Sequence, residues 1–258
     1  MPGEQVILVG DAGRRIRSFV NALGRFPTDP LWVVVGGFAV NVRISEVHRL
    51  TNDLDTITSS QAQLVEILLD APDADRLDHA KLRFTGEMPE VDIDVMDDTA
   101  GDPLPAEPSD RVFALARRQA MEARETLEIV VVDAGRVSAE ASAPVASVPS
   151  LIALKSVSMP RRSASNHPEK VGSDIHDLVR LVEGRDIDEL AQALAGVDGE
   201  LANWIGTTLV QWFSADADQR YTFARLRRLS GGTDVRSIDE GALDVVAMLG
   251  RAVLDNVR

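Results

Sequence analysis

VVVGGFAVNVRISEVHRLTNDLD, residues 33–55, runs from an apolar stretch through a glycine pair into two aspartates, and its reading decides the fold. Residues 31–35 form a candidate buried strand, Gly36-Gly37 a turn, and a short helix follows from about Phe38. A second strand opens with Asp53-Leu54-Asp55. Side chains alternate along a strand, so Asp53 and Asp55 share one face, and Leu54 and Ile57 are assigned to the other. Two carboxylates side by side at a strand edge repel each other and need solvation, a partner or a cation. Oxygen donors of this kind suit Mg²⁺, which takes one or two carboxylates together with substrate phosphates. A glycine pair lets backbone approach a phosphate closely, and a helix starting there adds free N–H groups and a positive dipole end. The stretch therefore reads as a phosphate cradle facing a metal site.

A second acidic strand lies downstream, in residues 91–95, where Val91, Ile93 and Val95 alternate with Asp92 and Asp94. Either aspartate suits a third carboxylate; Asp94 is favoured because it stands in the longer apolar frame of residues 93–96. Charge and composition bound what such a site serves. The chain has 258 residues, 45% hydrophobic and 26% charged, as a soluble globular protein has, and a net charge of −14. That acidity argues against a broad nucleic-acid surface, since phosphate contacts drive such binding, but leaves room for a local basic groove. Cysteine is absent, which excludes disulfides, thiolate metal sites and cysteine nucleophiles. No signal peptide and no membrane-spanning apolar run is visible, so a cytoplasmic protein without membrane association is expected.

The order Gly36-Gly37, short helix, then His48-Arg49, Thr51, Asp53 and Asp55 resembles the nucleotidyltransferase superfamily, specifically its AbiEii-like branch of bacterial toxin nucleotidyltransferases. Fifteen residues separate Gly37 from Asp53, a little more than the superfamily usually shows. The resemblance extends to the segment Leu151-Ile152-Ala153-Leu154-Lys155, a basic loop with Arg161, Arg162, His167 and Lys170, and a helix bearing Asp174 and Asp177. In the family that lysine and the first aspartate of the pair are active-site residues, which here are Lys155 and Asp174. One departure stands out: the family commonly has a basic residue just before the aspartate, and this chain has Ser173. Read from the residues alone, Lys155 interrupts an apolar run and either has an anionic partner or snorkels to the surface. Asp174 and Asp177, three apart, share a helix face.

Around these motifs the chain reads as an α+β fold. A nucleotidyltransferase-type mixed sheet with helices spans residues 1–145, and an all-helical domain spans 146–258 and completes the active-site cleft. Strands are expected at 5–9, 81–85 and 127–132, and amphipathic helices with Ile16, Val20 and Leu23, and with Leu64, Ile67 and Leu68 behind a Ser59 or Ser60 cap. Ser109 or Asp110 caps a further helix, and the small-residue, proline-bearing stretch 139–150 is taken as the domain boundary. Beyond it, helices are expected near 151–157, 174–182, from Asp186, and at 201–213, 221–229 and 238–257.

The resemblance implies Mg²⁺-dependent transfer of a nucleotide from an NTP to an acceptor. Asp53, Asp55 and Asp94 are expected as metal ligands and catalytic residues, together with Lys155 and Asp174. Gly36, Gly37, Arg49, Thr51 and Lys155 are expected to bind the nucleotide. The family further implies the toxin of a toxin–antitoxin pair, with a tRNA 3′ end as acceptor and a cognate antitoxin as partner. A small-molecule nucleotidyltransferase of the antibiotic-modifying type is the second reading, since acidity suits a cationic acceptor. A catalytically inactive binding module is the third.

Overall fold

The structure is a computed structural model that describes residues 4–10, 14–164, 168–214, 238 and 240–257. It divides into two compact units, one of residues 1–102 and 120–147, the other of 103–119 and 148–258. The fold is α+β: a mixed eight-stranded sheet and nine helices among the described residues.

The first unit holds the sheet. Its strands are β1 (Glu4–Val9), β2 (Trp32–Val34), β3 (Asp53–Thr58), β4 (Ala74–Arg76), β5 (Lys81–Phe84), β6 (Val91–Asp97), β7 (Arg124–Asp133) and β8 (Arg136–Ala146). They lie in the order β1-β7-β8-β2-β3-β6-β5-β4. β3 and β6 run parallel, with Asp53 opposite Asp92 and Asp55 opposite Asp94. Three helices accompany the sheet: α1 (Arg15–Leu23), α2 (Gly36–Arg43) and α3 (Gln61–Leu69). Ile16, Phe19, Val20 and Leu23 of α1 are buried, as their spacing on one helix stripe requires, and Phe19 meets Phe38 of α2 edge-on at 5.3 Å.

Several local expectations change. The helix after β2 takes in both glycines and does not wait for Phe38. Ile57 has the parity of Asp53 and Asp55, so strand alternation places it on their face, fully buried farther along the strand. Ser60 caps α3 by position only. The hydroxyl makes no capping bond, and the Gln61 N–H donates instead to the Asp97 carboxylate at 3.3 Å. β4 was not foreseen, because its three residues, Ala-Asp-Arg, have no apolar alternation to betray a strand.

The stretch 139–150 is largely strand and not linker. β8 occupies residues 136–146 inside the sheet, between β7 and β2. Small residues have little strand preference of their own, but the ladder to β7 runs along the whole of β8 and supplies it. The hairpin turns at Ala134-Gly135, whose φ angles of 49° and 76° are those of the tight turn that matches strand twist.

The second unit is helical. α4 (Pro108–Glu122) has most of its length there, and Ser109 and Asp110 lie within its first turn instead of preceding it. α5 (Val148–Ala164), α6 (Pro168–Val182), α7 (Ile187–Ala195), α8 (Gly199–Phe213) and α9 (Glu240–Val257) follow. Asp186 caps α7, its carboxylate accepting from the N–H groups of Asp188 and Glu189 at 2.9 and 3.0 Å. Arg161 and Arg162 belong to the last turn of α5 and not to a loop. The expected helix at 221–229 and His167 lie outside the described residues. No helix among the described residues is long and apolar enough to cross a membrane.

Candidate nucleotide and metal site

The parallel register of β3 and β6 sets Asp53, Asp55, Asp92 and Asp94 on one face of the sheet. Asp53, Asp55 and Asp94 bring one oxygen each to within 4.8 Å of one another, all three half-buried. Asp92 is drawn aside. Arg83 on β5 grips it with two bonds, Nε to Oδ1 at 2.5 Å and Nη2 to Oδ2 at 3.1 Å. The hydrogen bond from Arg83 holds the Asp92 carboxyl below its ordinary range, against the opposing effect of burial. Of the two aspartates, the one in the cluster is Asp94, which its longer apolar frame favoured.

Lys81, one strand over, places its ammonium 3.0 Å from Asp94 Oδ1. Burial disfavours its charge, but the bond to Asp94 and the charges of Asp94, Asp53 and Asp92 outweigh burial and hold its pKa above the ordinary lysine value. On the other side, the Thr51 hydroxyl donates to Asp53 Oδ1 at 3.1 Å, so its contact here is with the carboxylate it would orient.

The glycine pair closes on the same edge. Gly36 has a φ of +69°, and a Cβ there would lie 1.9 Å from Asp55 Oδ2. A Cβ on Gly37 would lie 2.6 Å from Arg49 Nη2. The positive φ of Gly36 is the conformation that favours glycine, whereas the Arg49 side chain could give way to a Cβ on Gly37. The Val35 N–H donates to the Asp55 carbonyl at 3.0 Å, which ties the start of α2 to β3. Behind Arg49, Asn41 donates its side-chain amide to the Arg49 carbonyl at 3.1 Å. His48 is buried. Three carboxylates with oxygen donors alone, backed by a glycine start of a helix, fit a hard divalent cation and a phosphate beside it.

In the helical unit Lys155 is buried and does not snorkel, at 5% exposure. Its ammonium lies 2.9 Å from Asp174 Oδ1 and 2.7 Å from Asp177 Oδ2, and both carboxylates are fully buried. Arg162 reaches the other oxygen of Asp174 at 2.5 Å. That arginine answers the question Ser173 raised: neutralising charge comes from α5, across from the aspartate helix, instead of from its preceding residue. Arg161 pairs with Asp110 at 2.5 Å and stands 5.0 Å from the centre of the Phe113 ring. Ser109, Asp110, Arg161 and Arg162 line an open pocket of about 460 Å³. Lys170 is exposed.

The profile of the family described as the nucleotidyl transferase AbiEii toxin of type IV toxin–antitoxin systems matches residues 18–219. The chain belongs to the AbiEii family. As an AbiEii protein it is a nucleotidyltransferase, and its acidic edge, glycine pair and Lys155 helix all lie within the matched residues. Comparison with curated proteins gives no match. Among solved structures, an antigenic nucleotidyltransferase-like protein from Paracoccidioides brasiliensis is 18% identical with a TM-score of 0.44, over 90% of this chain and 93% of that one. JHP933 from Helicobacter pylori is 14% identical with a TM-score of 0.44, over 94% of this chain and 90% of its own.

Three residues of this AbiEii edge escaped the sequence reading: Lys81, Arg83 and Asn41. The first two had a signal. Lys81 and Arg83 alternate with Leu82 and Phe84 exactly as Asp92 and Asp94 alternate with Val91, Ile93 and Val95, and antiparallel pairing sets Lys81 opposite Asp94 and Arg83 opposite Asp92. Matched alternation of opposite charge in two strands points to cross-strand pairs. Asn41 gave no such sign.

Proposed function

We propose that this AbiEii protein transfers a nucleotide from an NTP to an acceptor in a Mg²⁺-dependent reaction, as a toxin whose acceptor is a tRNA 3′ end and whose partner is a cognate antitoxin. The observation that supports it is the convergence of Asp53, Asp55 and Asp94 beside the glycine pair and Arg49. Asp53, Asp55 and Asp94 would hold the metal, with Thr51 fixing the rotamer of Asp53. When bound, Mg²⁺ supplies charge neutralisation of the triphosphate and a lowered pKa at the acceptor hydroxyl. The N–H groups at the start of α2 and the Arg49 guanidinium would bind phosphate oxygens.

Lys155, held by Asp174, is proposed as a further active-site residue. Arg161, Arg162 and Lys170 are proposed as a small contact for acceptor RNA, in keeping with a net charge of −14 that disfavours a wide footprint. The test incubates the protein with each labelled NTP, Mg²⁺ and total tRNA. Label appearing in tRNA, lost in Asp55→Asn and on chelation, is the expected result. Label appearing instead on a small cationic acceptor would replace the toxin reading, and no transfer to any acceptor would remove it.

A further inference from the structure

Resting on the metal reading above, we propose that Lys81 is a tethered cation that occupies the carboxylate site from the side and sets how weakly the free protein holds a divalent metal. The three carboxylates, two on β3 and one on β6, concentrate like charge on one sheet face, half-buried and weakly screened. Asp94 among them is met by the Lys81 ammonium, at 3.0 Å. The charge of Asp53 also acts on Lys81, so its interaction reaches two of the three carboxylates.

Its backbone is fixed in place. The Lys81 carbonyl accepts from the N–H groups of Leu77 and Asp78 at 2.9 and 3.0 Å, and Leu82 and Phe84 beyond it are fully buried. β5 is paired on both sides, with β4 and with β6. The ammonium can therefore leave Asp94 only by rotation of its own four-carbon stem. A divalent ion that takes an oxygen of Asp94 must displace this ammonium or sit within a few ångströms of it, and either costs affinity. Arg83 makes the comparison useful. It is a second cation on the same strand, two residues on, but its partner Asp92 stands outside the cluster.

The experiment titrates Mn²⁺ into metal-free protein by calorimetry and follows melting temperature with and without the ion. Lys81→Met should tighten the Mn²⁺ Kd by roughly tenfold or more, as removal of a unit charge a few ångströms from a divalent ion requires. It should also melt lower without metal and gain more on adding it. Lys81→Arg, which keeps the charge, should leave the Kd near that of the wild type, and Arg83→Met should change it less than Lys81→Met does. Lys81→Gln repeats the test with a neutral side chain of similar reach, should the methionine variant fail to fold. Equal or weaker Mn²⁺ binding by the neutral variants overturns the inference and makes Lys81 a support for Asp94. Absence of Mn²⁺ binding in wild type and variants alike overturns the metal reading itself, and this inference with it.

Discussion

Gly36 is the residue whose replacement tests the position of Asp55 without altering a carboxylate. Its φ of +69° is unfavourable for a side chain, and a Cβ would fall 1.9 Å from Asp55 Oδ2. Gly36→Ala should therefore push Asp55 out of the cluster, reduce nucleotide transfer by at least tenfold and lower stability by about 1–2 kcal/mol. Transfer assays beside chemical denaturation check this, and an alanine variant with normal turnover would mean that Asp55 need not stand where the glycine puts it. Lys155 is the opposite case, a residue whose removal is expected to damage the fold. Two fully buried carboxylates share its ammonium, so Lys155→Ala leaves negative charge uncompensated in the helical unit. Breaking a buried pair from one side costs about 3–5 kcal/mol, and the remaining bond from Arg162 to Asp174 favours the lower end. Denaturant titration measures it; an unchanged midpoint would show that the pair contributes nothing. Lys155→Arg keeps the charge, so transfer lost there with stability retained would assign Lys155 to the chemistry.

At the level of elements, the β5–β6 ladder holds the third carboxylate in place, and its cross-strand pairs set how it responds to acid. The Arg83 bond and charge hold Asp92 below the 3.8 of an unperturbed aspartate, and the Arg25 bond does the same for Asp73. A carboxyl whose pKa is lower folded than unfolded adds stability that is complete above about 3.8 and is lost as pH falls through the lowered value. Acid unfolding should therefore steepen below that pH, and Asp92→Asn should flatten the acid limb while leaving the neutral plateau less stable. Melting curves between pH 2 and pH 6 follow it. An Asn variant with the same acid slope as wild type would show that the Arg83 pair is not among its sources.

For the whole molecule, the division into units does not follow the chain. Residues 103–119 belong with 148–258, and 120–147 belong with 1–102. Residues 103–119 supply buried Val112, Ala114 and Ala116, and the pairs of Arg111 with Glu200 and of Asp110 with Arg161. A fragment of residues 148–258 alone should consequently melt lower and less cooperatively than one with 103–119 fused ahead of it. Thermal circular dichroism compares the two, and equal cooperative transitions would show that the first part of α4 is dispensable to the helical unit.

What the sequence determined by itself was the local chemistry. Gly36-Gly37, Arg49 and the alternation of Asp53, Asp55, Asp92 and Asp94 with apolar neighbours are consequences of glycine's missing side chain and of strand period, which act within a few residues. The Asp186 cap, the α5 and α6 helices and the shared face of Asp174 and Asp177 are local in the same sense. Tertiary structure decided what depends on residues far apart in the chain. It made the small-residue run a central strand by pairing it with β7, and it returned residues 103–119 to the helical unit. It drew Asp92 aside through Arg83, and it set Lys81 against Asp94 through the register of β5 on β6. A local pattern shows which groups a strand presents to one face, but only the register of its neighbours fixes which opposite charge stands across from each.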